Sequence, residues 1–129
     1  MDTKQQRGPR RRQADGCCSP APIEVNGTAA AQHVQVLAAL SDPTRLQIVE
    51  MLSGLAEPLC VCEIVPHFAL GQPTISHHLR VLREAKLVTW EKRGLWVYYS
   101  LDREVLARSV AYLDGIASRS EDRMRLRTA

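Results

Sequence analysis

Cys60 and Cys62 are the residues whose type and spacing speak most directly of chemistry. Their thiolates are soft donors that select thiophilic ions. Two buried structural cysteines would give the same C-x-C spacing, so the pair alone leaves both readings open. A second pair, Cys17-Cys18, lies near the start of the chain. Chance or redox buffering would explain an adjacent pair there as well as ligation does. The four histidines, His33, His67, His77 and His78, predict no metal set, and His67 reads as a surface residue after Pro66. A thiol enzyme finds little support. There is no C-x-x-C, no Gly-rich cofactor loop, and 129 residues leave no room for a substrate domain.

The second chemistry is hydrogen bonding. In the segment Gln72–Lys86, Ile75, Leu79, Leu82 and the stem of Lys86 fall on one predicted helix face, with Pro73, His77, Arg80 and Glu84 opposite. Gln72, Thr74, Ser76, His77 and Arg80 are the outward polar side chains. Gln reads adenine and Arg reads guanine in the major groove, while Ser and Thr bond bases or phosphates. Any solvated surface helix also carries such a face. Lys92-Arg93-Gly94 is predicted to be the basic tip of a hairpin, a shape suited to lying beside a minor groove.

These groups need elements to hold them. Thr28 is predicted to cap a helix through Leu40, with Val34, Leu37, Ala38 and Leu40 on its apolar face. Ser41-Asp42 with Pro43 starts a second helix, with Leu46, Ile48, Val49 and Leu52 apolar, and Gly54 ends it. A short segment from Leu59 to Val65 is predicted to be helical and to end at Pro66. Its N-terminal position would favour the thiolate form of the cysteines. Residues two apart on a regular helix point about 200° away from each other, so one ion binding both sulfurs is predicted to unwind the turn. Leu87–Glu91 and Leu95–Leu101 read as the strands of the hairpin. Arg103–Ile116 reads as a last helix, with Val105, Leu106, Val110 and Leu113 apolar. A short helix, a tight turn, a second helix and a β-hairpin make a mainly α winged helix-turn-helix, about five helices plus a two-stranded hairpin. The terminal helices have no place in so small a core and are predicted to pair with their copies in a homodimer.

The composition agrees. Hydrophobic residues at 45% and charged residues at 24% suit a globular domain, and no run approaches a membrane span. The first sixteen residues are basic with no apolar run behind them, which predicts no secretory signal and a cytoplasmic, reducing setting. Residues 1–20 carry five basic and two acidic side chains, while the rest of the chain is balanced. The start therefore reads as a flexible basic arm.

The runs LSDPTRLQIVEMLS, LCVCEI and GQPTISHHLRVLREAKLVTWEKRGLWVYYSL closely resemble the ArsR/SmtB metalloregulators over roughly residues 30–115. The resemblance implies a flexible arm at 1–27, an ArsR-type winged helix-turn-helix at 28–117 and a charged tail at 118–129. It implies a homodimeric repressor, not an enzyme, that binds double-stranded operator DNA through Gln72, Thr74, Ser76, His77, Arg80, Lys92 and Arg93. LCVCEI is similar to the family's ELCVCDL box, which marks sensors of arsenite and of cadmium or lead. The implied inducer is trivalent arsenic, with cadmium, lead or zinc as alternatives and a redox switch as another. The box often supplies a third cysteine where this chain has Val65. The resemblance therefore points to Cys17 and Cys18 joining Cys60 and Cys62. Three thiolates suit trigonal arsenite, and four suit a tetrahedral ion. The family's zinc-sensing site uses Asp and His on the last helix, and Asp102–Gly115 contains no His.

Overall fold

Each helix starts where the local chemistry lets it start. In the computed structural model, which describes the backbone of residues 27–127 and side chains as far as Arg119, α1 runs Gly27–Leu40 and α2 runs Pro43–Ser53. Asp42 caps α2 by accepting the Arg45 backbone N–H at 3.0 Å, and Gly54 closes it. A two-residue strand, β1 (Leu59–Cys60), leads into a single helical turn, α3 (Val61–Ile64). A 3-10 turn over Val65–His67 follows. Pro66 does not end this segment as expected. It sits in the first turn of the 3-10 stretch, where a missing N–H costs nothing.

The amphipathic segment forms α4 (Gln72–Glu84), then β2 (Val88–Arg93), β3 (Trp96–Leu101) and α5 (Arg103–Arg127). The last helix thus continues well past the expected Ile116. The hairpin is also more than a two-stranded unit. β1 pairs antiparallel with β3, giving a three-stranded sheet in the order β1-β3-β2. A strand of two residues is too short to show period-2 patterning, so sequence alone missed it.

One core joins these parts. Ile48, Ile64, Ile75, Leu79, Leu82 and Leu87 are fully buried, with Val36, Ala39, Val49, Leu52 and Val88 nearly so. On α4 the buried set is the expected one, and each such side chain contributes roughly 1.5–3 kcal/mol by leaving water. Lys86 departs from expectation. It lies beyond the helix, exposed, with φ 62°. Lys86 N–H donates to Arg83 O at 2.9 Å and Leu87 N–H to Leu82 O at 3.0 Å, the paired bonds of a Schellman ending.

The terminal helices do enter the core, contrary to expectation. α1 packs on α5, with Val36 and Ala39 buried and Val105 and Leu106 laid against the cluster. Of the apolar face expected on α1, only Leu40 packs against the cluster; Val34 is 59% exposed, Leu37 38%, and Ala38 is exposed too. Val110, Leu113 and Ile116 on α5 are likewise exposed, as is Leu46 on α2.

Candidate nucleic-acid interface and cysteine site

The helix α4 presents its polar face outward because its apolar face is fully used. Gln72, Thr74, His77 and Arg80 are exposed and Ser76 is half-buried. No side chain caps its N-terminus, where Gly71 stands in extended conformation before Pro73. An uncapped N-terminus leaves backbone N–H groups and the positive end of the dipole open to an anion such as phosphate. Arg80 makes no ion pair or side-chain hydrogen bond among the described residues.

The wing differs from its predicted form at the tip. Lys92 and Arg93 lie within β2, opposite Val97 and Trp96, and the loop is Gly94-Leu95. Gly94 takes φ +62°, open to glycine without penalty at the first position of a two-residue loop. Alternation along β2 puts Lys92 and Arg93 on opposite faces of the ribbon. Their states differ too. Arg93 bonds Glu91 at 3.2 Å and lies 4.9 Å from the Tyr98 ring centre, whereas Lys92 has no partner among the described residues. Arg83, which sequence reasoning passed over, lies 5.1 Å from the Trp90 ring and ties the last turn of α4 to the wing. Only the fold brings that pair together, and the sequence carried no signal for it.

The cysteine turn overturns one geometric expectation. The two sulfurs do not diverge: Cys60 and Cys62 are joined as a disulfide, with Cα atoms 5.3 Å apart. The physical reason is that Cys60 is not helical. It ends β1 in extended conformation (φ −77°, ψ 156°) and caps α3 by accepting the Cys62 N–H at 3.2 Å. The turn need not unwind to bring both sulfurs to one point. Cys60 is 2% exposed and Cys62 exposed, so the point of convergence sits at the surface. Ile64 of the same turn is fully buried in the cluster that holds Ile75 and Leu79, which fastens α3 to α4. Cys60 pairs with Tyr98, which fastens β1 to the wing.

The described residues gather no group of three or more potential metal ligands. His67 is exposed and joins no such group. The expected arm ligands Cys17 and Cys18 lie outside the described residues.

A short helix, a tight connection, an outward-facing second helix and an antiparallel wing define a winged helix-turn-helix DNA-binding transcriptional regulator. The model of the bacterial regulatory protein arsR family matches residues 42–89. The arsenical resistance operon repressor of Escherichia coli K12 is 42% identical over 81 residues, covering 63% of this chain and 68% of that protein. A cadmium resistance transcriptional regulatory protein CadC homolog from Staphylococcus aureus is 44% identical over 70 residues, covering 54% and 57%. A crystal structure described as a "Possible transcriptional regulator for arsenical resistance" superposes with a TM-score of 0.58 at 37% identity, covering 70% of this chain and 92% of that one. The chain belongs to the arsR family of transcriptional regulators.

Proposed function

We propose that this chain is a repressor that binds operator DNA as a homodimer and lets go when cysteine thiolates take up trivalent arsenic. The observation that carries the reading is the convergence of Cys60 and Cys62 on a turn packed against α4. Reduced, as in a cytoplasm, the pair offers two thiolates to one ion. The donor set fits a thiophilic ion and is one thiolate short for arsenite. Cys17 and Cys18 would complete the site. About ten residues separate Cys18 from α1, and at roughly 3.3 Å per residue they span at most about 33 Å. The exposed stripe of Val34, Leu37, Val110, Leu113 and Ile116 supports dimerisation through α1 and α5. Gln72, Thr74, Ser76, His77, Arg80, Lys92 and Arg93 would hold the DNA.

DNA release measured side by side with arsenite, cadmium and peroxide tests the inducer. Cys60→Ser and Cys62→Ser should bind operator as before and ignore arsenite. A variant that no longer binds DNA would instead make the cysteines structural. Cys17→Ser with Cys18→Ser should keep DNA binding and strongly weaken the arsenite response. An unchanged response would leave the arm out of the site. A cadmium sensor using all four cysteines is the second reading, supported by the likeness to the cadmium resistance regulator. X-ray absorption of the loaded protein separates the two by counting sulfur neighbours.

A further inference from the structure

Arg45 stands at the elbow between α1 and α2 and is committed in three directions. Its backbone N–H donates to Asp42 Oδ1 at 3.0 Å, and its Nε donates to Ala39 O, at the end of α1, at 2.7 Å. Its Nη1 lies 3.3 Å from His78 Nδ1, on α4. A guanidinium has donors and no acceptor, so this contact is made by the neutral ring, in which Nδ1 accepts and Nε2 carries the proton. Asp42 Oδ1 stands 3.9 Å from the same nitrogen, beyond hydrogen-bond distance, and is already engaged by Arg45. The His78 side chain is 13% exposed, so it is turned inward while its neighbour His77 is exposed.

Apart from the contact of Arg83 with Trp90 at its last turn, the remaining attachments of α4 are apolar. Ile75, Leu79 and Leu82 press it onto the core with a force that has no preferred direction. A hydrogen bond does have one, because it weakens steeply with distance and angle. A rotation of α4 by about 10° would move an atom about 6 Å from its axis by about 1 Å, enough to spoil a two-point contact with a base edge. We propose that His78 is a positioning residue for sequence recognition: through Arg45 it fixes the rotation of α4 against the α1–α2 elbow. Arg80 and His77 are thereby presented at one angle. The proposal rests on α4 being the DNA-reading helix.

The test uses the full chain, a duplex selected by the native protein from random sequence, and a scrambled duplex. His78→Leu should lower discrimination between the two duplexes about tenfold, the weight of a hydrogen bond from a charged donor, with scrambled-duplex affinity unchanged. His78→Asn, whose Oδ1 accepts in place of Nδ1, should recover most of that loss. Arg45→Lys should reproduce the His78→Leu loss, and the double variant should add nothing further. Equal weakening on both duplexes with no recovery in His78→Asn would overturn the proposal, leaving His78 a packing residue. So would full discrimination in His78→Leu while Arg80→Ala loses it. A native chain that selects no sequence would bring down the DNA-reading assignment itself, and this proposal with it.

Discussion

The helix α4 and the cysteine turn lie side by side, yet they are held in opposite ways. α4 has 13 residues, three of them fully buried, a hydrogen-bonded ending, and the grip of Arg45 on His78. The cysteine turn has a two-residue strand and a four-residue helix, anchored by Ile64 and by pairing with β3. Elements that short have no stability of their own. The turn therefore owes its hold to Ile64 and to β3, whereas α4 is stabilised along its own length.

The contrast can be broken most forcefully at Leu79. Leu79→Ala empties a fully buried site and should lower unfolding stability by about 2–5 kcal/mol in denaturant titration. Operator binding should fall with it. A loss under about 1 kcal/mol would mean that α4 is held more loosely than its burial implies. Arg80→Ala should weaken operator binding by about 1–3 kcal/mol while the folding midpoint stays put. Unchanged affinity would remove Arg80 from the interface. The wing separates two cations by the same logic. Lys92→Ala should reduce the salt slope of DNA binding by about one, and Arg93→Ala by less, because Glu91 already neutralises Arg93. Equal slopes would show that Arg93 leaves Glu91 on DNA.

A smaller effect sharpens the picture at the end of α4. Lys86 holds a left-handed conformation that costs a side-chain-bearing residue roughly 1 kcal/mol, so Lys86→Gly should raise stability by up to about that amount. A drop in melting temperature would show that the Lys86 side chain contributes more than its backbone strain costs. The smallest effect belongs to Asp42. The Arg45 backbone N–H, aided by the nearby guanidinium and His78, holds its carboxyl below the ordinary 3.8. Its contribution to stability is present above that ordinary value and is lost as pH falls through the lower folded one. Asp42→Asn, which keeps a capping oxygen, should flatten the acid end of the melting-temperature profile slightly. An unaltered acid limb would assign that limb to other carboxylates.

The same contrast explains what the sequence could tell. α4 was legible because its apolar residues repeat at helical spacing, and the start of α2 because Asp42 and Pro43 are strong local signals. The cysteine turn was not, since two residues cannot declare a strand and nothing in the local sequence marks Cys60 as extended. On α1 the buried side chains are Val36 and Ala39, which no apolar stripe in the sequence singles out. The Arg45–His78 bond spans 33 positions and exists only once the elbow has folded. Arg93 and Lys92 look alike in a basic dipeptide and differ only because strand alternation turns one toward Glu91.

The pairing of Cys60 with Tyr98 has a thermodynamic consequence. Tyr98 also stands opposite Glu91, and Arg93 lies over its ring, so a single ladder runs from Cys60 to the basic wing. DNA that stiffens the wing also stiffens β1. Were the proposed inducer to disturb the pairing of Cys60 on binding, it would work against that order. Linkage makes the antagonism mutual: whatever factor the ion takes from operator affinity, the operator must take from ion affinity. Protein parked on its operator should hence be a weaker scavenger of the ion than protein free in solution, and each cell's response threshold would depend on how much repressor it holds beyond its operators.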